Sequence, residues 1–503
     1  MLKESDAVKL IFGLKVQDLR REQSLSYQQL SERTGLAISY LHDIEKGKKY
    51  PKHDKILALA KALGTDYNYL VSLQATKKLK PIINLLHSDF LKIFPLETFG
   101  ISLPKLLELL VEAPDKINAF ISTVIKIIRN YNLQGEDFYR AALRSYQSLH
   151  DNYFDDLEKA VRDFKKKCGV QKTISFSPIE LEAVLEKYFG IHIDRTTLTQ
   201  KEALHSIRSF YSKELKTLFL NADLSPTQEN YLIAKELGFQ FMHIDDRSYE
   251  THMMEIESFD KLMNYFRASY FAVALLMDES EMIKDIEQMS TWQEWDSNAF
   301  TDLLYKYNVS VESLLQRLAN ILPKHFGIKD LFFLRFFTGP DMERFEMIKE
   351  MHLSQLHNPH ANQLDEHYCR RWISIHLIRQ LKATNALTPQ HERLLCDAQI
   401  SRYWGTDNSY FCICLAKPDH DNPQDSTSVT LGLLINDRLR QLFRFLDHPN
   451  LKTKDVHTTC ERCGITDCGA RAVPPVLLQQ RNAKEKMKTA LQALGKMVIS
   501  ETS

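Results

Sequence analysis

The chain has 503 residues, of which 44% are hydrophobic, and this length allows about three or four domains that each bury a core. Lys plus Arg and Asp plus Glu number 65 each, so the net charge of zero excludes a general polyanion binder. No apolar run approaches the ~20 residues that span a bilayer, and the first residues lack the apolar segment of a signal peptide. These features predict a cytoplasmic protein with no membrane segment.

The first predicted elements are two short amphipathic helices around a tight turn, within Ser26 to Pro51. Leu30, Leu41 and Ile44 recur at helical spacing and predict a shared core, while Gly35 permits the turn. The opposite face is free to enter the major groove of DNA. The candidate DNA-contacting residues are Gln28, Ile38, Ser39, Tyr40, His42, Asp43, Lys46, Lys48 and Lys49.

Positive charge is concentrated in this part of the chain, because residues 1–76 hold twelve Lys and Arg against nine Asp and Glu. The run over about 9–73, with the pattern Ile44-Glu45-Lys46-Gly47 followed by Pro51, resembles the Cro-like (Xre) helix-turn-helix family. The resemblance implies a domain that binds DNA. Tyr27 stands where the family usually has Gln and Ala37 where it usually has Ser, so the phosphate contacts of those positions do not carry over.

Residues 77–170 are predicted to form a helical linker or dimerisation region, with Pro95, Pro104 and Pro114 as helix breakers. The longest helix is expected to start at Gly135 and to carry one apolar stripe as far as Phe164. Such a stripe is usually core packing. A contact between two copies of the chain is the alternative.

From about Lys172 the pattern mixes helices and strands, and Gln228 to Met242 is predicted to be a buried helix. A zinc peptidase carries H-E-x-x-H on such a helix, because two imidazoles one turn apart bind the ion and the Glu takes a proton from its water. The same register here reads Lys235-Glu236-Leu237-Gly238-Phe239. Glu236 is present, and both imidazoles are absent.

The following segment, RASYFAVALLMDES at 267–280, resembles the second conserved segment of the ImmA/IrrE peptidase-like family. That resemblance implies an IrrE-like fold for residues 172–325, here without zinc ligands. The place of the third ligand is held by Tyr265, Phe266 and Arg267. Glu236 is therefore expected to be structural or solvated, with a contact to a ligand in the vacated cleft as the alternative.

The last third, about 328–475, alternates strand-like runs with a helix near Arg370 to Leu381 and predicts an α+β domain with an antiparallel sheet, of the size of a small-molecule sensor. The predicted strands are 331–338, 409–416 and 428–435. Residues 476–503 follow as a helix or tail. The aromatic residues expected in the sheet core are Phe332, Phe333, Phe336 and Phe337.

Three cysteines close this part of the chain, since Cys460, Cys463 and Cys468 form a C-x2-C-x4-C run. The cytoplasm keeps thiols reduced, which favours a metal site over a disulfide. Cys369 is the preferred fourth ligand. The alternatives for it are His457, Cys412 and Cys414. Zinc would make a closed structural site, an iron-sulfur cluster would make a redox or iron sensor, and ordinary thiols remain the third interpretation.

The tail CERCGITDCGARAVPP, together with HYCRRW at 367–372 and SYFCICLAKP at 409–418, resembles the short-chain fatty acyl transcriptional regulators. These proteins join a Cro-like head to an IrrE-like domain, and the resemblance runs from Val8 to about Pro475. It implies control of genes of short-chain acyl metabolism, with an acyl-CoA thioester as effector. Candidate partners for CoA phosphates, whose alternative is a solvated surface role, are Arg335, Arg370, Arg371 and Arg402.

The sequence thus predicts a multidomain protein, mainly α with α+β parts, that has no enzymatic activity. The expected function is a homodimeric, effector-responsive transcriptional regulator bound to a double-stranded DNA operator. An IrrE-type peptidase acting on a repressor is one alternative. An effector-independent, antitoxin-like DNA-binding protein is the other.

Overall fold

The computed structural model describes residues 4–72, 135–247, 256–342, 344–353, 366–383, 393–419 and 422–501. The chain divides into two compact units, one of residues 1–146 with 254–263 and the other of residues 147–253 with 264–503. Pro95, Pro104, Pro114 and residues 77–134 of the expected linker lie outside the described residues. No helix of the described part is long and apolar enough to cross a membrane.

The amino-terminal domain is a bundle of short helices. They are α1 Glu4–Glu22, α2 Tyr27–Thr34, α3 Ile38–Glu45, α4 His53–Ala62 and α5 Tyr67–Val71. Helix α2 begins after Ser26, whose side chain accepts a hydrogen bond from Gln29 N in a capping box, and it ends at Gly35 with φ 68°. Leu30, Leu41 and Ile44 are fully buried, which confirms the core expected from their spacing.

Helices α1 and α3 approach each other closely at Gly13. A Cβ atom at this position would lie only 2.3 Å from the carbonyl oxygen of Ile44. Two residues further along α1, Lys15 is fully buried, and its Nζ donates hydrogen bonds to the carbonyl oxygens of Tyr69 and Ser72, both at 2.6 Å. Helix α1 is therefore tied both to α3 and to the carboxyl end of α5.

The middle of the chain is mainly helical with one small sheet. Its helices are α6 Gly135–Leu149, α7 Asp155–Lys167, α8 Pro178–Phe189, α9 Thr197–Gln200, α10 Pro226–Phe241, α11 Phe259–Leu276, α12 Glu279–Ser290, α13 Ser297–Tyr307 and α14 Val311–Ile321. Its strands are β1 His192–Asp194, β2 Ser209–Ser212 and β3 Thr217–Leu220, in the order β1-β3-β2. Strand β3 pairs parallel to β1 and antiparallel to β2.

The single long helix expected from Gly135 to Phe164 is wrong, because the chain breaks between α6 and α7. Asp151 and Asn152 have φ values of 50° and 53°, which a continuing helix cannot accommodate. The carbonyl of Asn152 accepts a hydrogen bond of 2.8 Å from Asn320 Nδ2 on α14. Phe164 is fully buried, so the α7 part of the apolar stripe packs into the core.

A six-stranded sheet dominates the last third. Its strands are β4 Leu331–Thr338, β5 Glu346–His352, β6 Leu395–Tyr403, β7 Ser409–Pro418, β8 Ser426–Leu434 and β9 Thr453–Val456. Their order in the sheet is β5-β4-β8-β7-β6-β9. The neighbours pair antiparallel except β6 with β9, which pair parallel. The helices are α15 Ile373–Ala383, α16 Asp437–Leu442 and α17 Val476–Glu501. The three strands predicted from sequence are present.

The two faces of this sheet have different neighbours, because side chains alternate along each strand. On one face Leu334 and Phe336 of β4 pack with Ile375 and Ile378 of α15 in one buried apolar cluster. The intervening residue Arg335 points to the other face and meets α14. Phe332, Phe333 and Phe336 are buried and Phe337 is half-buried, as expected for sheet core.

Candidate functional site

Helix α3 presents one exposed face of the amino-terminal domain. Ile38 is 49% exposed, and Ser39 beside it is also exposed. Gln28, in the first turn of α2, is exposed as well. These three side chains are available to a partner, while Leu41 and Ile44 on the other side of α3 are fully buried.

The turn after α3 adds exposed positive charge. Lys48 and Lys49 are exposed, Lys46 is half-buried, and Gly47 between them has a φ of 67° that makes the turn. Lys49 Nζ lies 2.9 Å from Asp43 Oδ2, and this hydrogen bond lowers the pKa of Asp43. Asp43 is therefore engaged by a lysine of its own domain.

Two further candidates, Tyr40 and His42, lie at the edge of the core. Both are half-buried. Lys55 Nζ lies 4.4 Å and Lys49 Nζ lies 5.6 Å from the centroid of the Tyr40 ring. The ring therefore makes cation–π contacts with two lysines. The His42 ring lies 5.9 Å from the ring of Tyr27.

A buried ion pair fixes α3 to α1, and the sequence interpretation missed it. Arg20 Nε lies 2.6 Å from Oε1 of Glu45, and Arg20 Nη2 lies 2.9 Å from Oε2. Tyr27 donates its hydroxyl to Glu45 Oε2 at 2.8 Å, and the Arg20 guanidinium lies 4.1 Å from the Tyr27 ring centroid. Burial and this bond raise the pKa of Tyr27 to about 12. Tyr27, which departs from the family pattern, thus stabilises the buried ion pair of Arg20 and Glu45.

A second site is the helix α10, where the zinc-peptidase register is altered. Glu236 is buried, and both of its carboxylate oxygens accept hydrogen bonds from Arg247 Nη1, at 2.8 and 2.7 Å. The Arg247 guanidinium lies 4.4 Å from the ring centroid of Phe239, at one of the imidazole positions, and 4.6 Å from that of Tyr211. A guanidinium therefore supplies the positive charge next to Glu236.

The other imidazole position is held by Lys235, which is 3% exposed. Its Nζ lies 4.0 Å from the ring centroid of Tyr265 and 5.7 Å from that of Tyr231. Burial lowers the pKa of Lys235 well below its usual value and raises that of Tyr231 to about 12. Of the residues expected near the third ligand position, Tyr265 is the one that faces α10, while Arg267 lies 3.7 Å from Asp156.

These contacts decide what the α10 site can do chemically. A general base must be free to accept a proton from water, and the carboxylate of Glu236 is instead paired with a cation. Over the ranges that the structure describes, no group of three or more His, Cys, Asp or Glu is arranged to hold a metal ion. Arg247 follows Phe239 by eight residues in a segment without a recognisable pattern, so sequence reasoning did not find it.

The cysteines of the tail are partly brought together. Cys369, Cys460 and Cys463 are each 5% exposed, and burial, with the nearby charges of Cys460 and Cys463, raises the pKa of Cys369 to about 11. Ala472 N donates to Cys460 Sγ at 3.4 Å. Cys468 is half-buried, and its carbonyl accepts a hydrogen bond from the backbone of the same turn. The alternative ligands Cys412 and Cys414 are buried on β7.

The four arginines considered for CoA phosphates lie in three separate places. Arg335 pairs with Glu312 of α14 at 2.9 Å. Arg370 lies 4.3 Å from the ring centroid of Phe345. Arg371 and Arg402 both contact residue Asp455, through its carbonyl and its carboxylate respectively. These four residues do not form one phosphate site.

Two of these regions, the amino-terminal helix-turn-helix and the region that contains α10, match known protein families. A helix-turn-helix domain family matches residues 13–75, and the IrrE N-terminal-like domain family matches residues 186–319. Among solved structures, a Mycobacterium tuberculosis transcriptional regulator is similar at 19% identity and a TM-score of 0.46, over 66% of this chain and 92% of that chain. No curated protein matches.

The helix-turn-helix match includes α2, α3 and the basic turn that follows them, and the IrrE-like match includes α10 with its altered zinc register. Both resemblances that the sequence indicated for these regions are confirmed. The chain therefore joins an Xre-type helix-turn-helix domain to an IrrE N-terminal-like domain in one polypeptide.

Proposed function

We propose that this protein is a sequence-specific DNA-binding transcriptional regulator without enzymatic activity. The observation that carries the proposal is the exposed face of α3, with Ile38 and Ser39 open and Lys48 and Lys49 beside them. The side chains of a recognition helix read base edges in the major groove, and flanking lysines neutralise backbone phosphates.

The test is a binding assay on operator DNA selected with the full chain. Ser39→Ala removes a side chain aimed at base edges, so it should reduce discrimination between operator and random DNA by about 1–3 kcal/mol. Lys48→Ala should instead weaken binding to both DNAs equally. It should also lower the slope of log affinity against log salt concentration by about one. Unchanged binding and footprint for both variants would assign DNA binding to another surface.

We further propose that the regulator is a homodimer that responds to an effector, an acyl-CoA thioester being the candidate from the family resemblance. A dimer matches the two-fold symmetry of operators bound by such domains. An effector can regulate the dimer only if it binds one arrangement of the two helix-turn-helix domains more tightly than another. Mass measurement in solution, and footprints with and without propionyl-CoA, test the two statements separately.

The α10 geometry disfavours the alternative of an IrrE-type peptidase. Phe239 has no donor atom, Lys235 faces the Tyr265 ring, and Arg247 neutralises Glu236. Zinc-dependent cleavage of a repressor by the purified chain, lost in Glu236→Gln, would overturn this assignment. The antitoxin-like alternative has no structural observation of its own.

A metal at Cys369, Cys460, Cys463 and Cys468 is the remaining part of the proposal. The support for this part is chemical and not geometric: thiolates are the donors that zinc and iron-sulfur clusters use, and Cys369, Cys460 and Cys463 are buried, but the described residues include no three-residue group arranged to hold an ion. Binding would require deprotonation of Cys369, whose pKa is about 11 without a metal.

A further inference from the structure

Helix α17 is exposed on every side over about four turns. Each residue of 479–493 is exposed, and Met487 and Leu491 within this stretch are 65% and 63% exposed. The first turn of the helix is attached to the domain, since Leu478 N donates a hydrogen bond of 3.1 Å to Glu461 O. Helices in proteins gain most of their stability by packing an apolar face against a neighbour.

The exposed stretch of α17 is amphipathic. Four apolar residues lie at positions i, i+4, i+7 and i+8, which share one face of a helix. They are Ala483, Met487, Ala490 and Leu491, and we call them the α17 stripe. The polar residues on the opposite face are Asn482, Glu485, Thr489 and Gln492. The α17 stripe is therefore an apolar surface that is open to a partner.

Positive charge flanks the α17 stripe on both sides. The exposed stretch holds four basic residues and one acidic residue. At about 100° per residue, Lys484 and Lys488 lie on one side of the stripe and Lys486 lies on the other. The acidic residue, Glu485, pairs with Arg481 of the same helix at 3.2 Å. The flanks of the stripe are therefore basic, while the stripe itself is uncharged.

The composition of α17 favours another helix as the partner. A nucleic-acid-binding helix gathers its basic residues on one face, whereas those of α17 lie on both sides of an apolar stripe. A helix that lies on a membrane usually carries bulky aromatic residues, and α17 contains none. The two alanines of the stripe allow the axis of a second helix to approach closely.

The length of α17 is sufficient for pairing with a second copy of itself. The helix Val476–Glu501 has 26 residues, and a coiled coil needs roughly three to four heptads. Two copies of the uncharged stripe can meet without burying a charge. The apolar positions of α7, which the sequence also offered for a contact between copies, are packed into the core, since Phe164 is fully buried.

We propose that the α17 stripe is the surface through which two copies of the chain pair. Met487 and Leu491 of one copy are then buried against the α17 stripe of the other, as in a two-stranded coiled coil. This pairing rests on the homodimer proposed above and assigns a surface to it. Because the flanks are basic in both copies, salt that screens their repulsion should strengthen the dimer.

The experiment is sedimentation equilibrium of the full chain over a range of protein concentrations. The parent should be a dimer, and Leu491→Lys should weaken self-association at least about a hundredfold, because both copies lose a buried leucine and gain a charge in the contact. Asn482→Lys is the matched control, since it adds the same charge to the opposite face of α17 and should sediment like the parent. A chain that ends at Pro475 lacks α17 and should be a monomer.

A second measurement on the parent alone uses the basic flanks. Raising sodium chloride from about 0.1 to about 0.5 M shortens the range of charge repulsion and should tighten the dimer. Contacts between lysines and DNA phosphates respond in the opposite direction, because salt weakens them. A dimer that sodium chloride weakens would contradict a contact with basic flanks.

Circular dichroism shows whether each variant is folded. A dimer that persists both in Leu491→Lys and in the truncated chain would overturn this surface and leave the homodimer to another one. A monomeric parent would remove the homodimer together with this surface, without bearing on DNA binding by α3. Loss of affinity for random-sequence DNA on truncation, with the dimer retained, would assign α17 to DNA instead.

Discussion

Arg247 and Glu236 form a buried ion pair in which one guanidinium nitrogen lies 2.8 Å and 2.7 Å from the two carboxylate oxygens. In a zinc peptidase the corresponding carboxylate faces a metal-bound water. Here an arginine of the same chain takes the role of the positive charge. The IrrE-like domain thus keeps the acidic residue of the motif as a structural one.

Removal of Arg247 should therefore destabilise the domain strongly. Arg247→Ala leaves the carboxylate of Glu236 buried without its partner, which costs about 3–5 kcal/mol in the free energy of unfolding. The double variant with Glu236→Gln should recover much of this loss because no buried charge remains. Urea unfolding measures both. Lys213→Met, which removes an exposed pair with Asp245, is the control and should leave the transition unchanged.

The amino-terminal domain offers a matched comparison of a buried and an exposed ion pair. Glu45→Gln removes the carboxylate shared by Arg20 and Tyr27, and we expect it to lower the stability of this domain by about 3–5 kcal/mol. Lys49→Met removes the exposed pair with Asp43 and should leave stability nearly unchanged. Thermal unfolding followed by circular dichroism reports both changes. Equal melting of the two variants would contradict the role assigned to Glu45.

Gly13→Ala should damage DNA binding without touching a residue that contacts DNA. The added methyl group would lie 2.3 Å from Ile44 O, so α1 and α3 must separate, at a cost of about 1–3 kcal/mol. We expect a lower melting temperature and weaker operator binding. Gln17→Ala on the same helix α1 is the control. Normal binding by Gly13→Ala would show that the position of α3 does not depend on this contact.

Lys15 predicts a pH dependence of stability for the same domain. Burial lowers its pKa from the usual 10.5 to about 8. Between these values the unfolded chain binds a proton that the folded chain lacks, so the free energy of unfolding should rise with pH across this window. Lys15→Met should remove that rise, which is at most about 1.4 kcal/mol per pH unit. Unfolding of parent and variant at pH 8, 9 and 10 measures the difference.

Cys463→Ser tests the proposed metal site. If the thiols hold zinc or an iron-sulfur cluster, anaerobically purified parent should contain metal, and the variant should contain almost none. Because metal binding contributes to folding, the variant should also melt at a lower temperature in the sheet domain while α1 to α5 stay folded. Cys168→Ser, a buried cysteine on another element, is the control. A parent free of metal, with both variants melting alike, would identify ordinary thiols.

What could be predicted from the sequence depended on how local the determining contacts are. The strand 331–338 and the turn at Gly35 follow from patterns of a few neighbouring residues, and both are present. The break at Asn152 was missed, and the contact that holds this residue, a hydrogen bond from Asn320, comes from far along the chain. Arg20 with Glu45 was missed for the same reason.

The network of Arg20, Tyr27 and Glu45 has a consequence for how operators are read. Glu45 is the last residue of α3, and it is bound from both α1 and α2. We therefore expect the helix-turn-helix domain to lose little conformational entropy on binding an operator, because α3 is already fixed. On this expectation, differences between operator sequences would be accommodated by bending of the DNA, whose stiffness at base pairs that the protein does not contact would contribute to specificity.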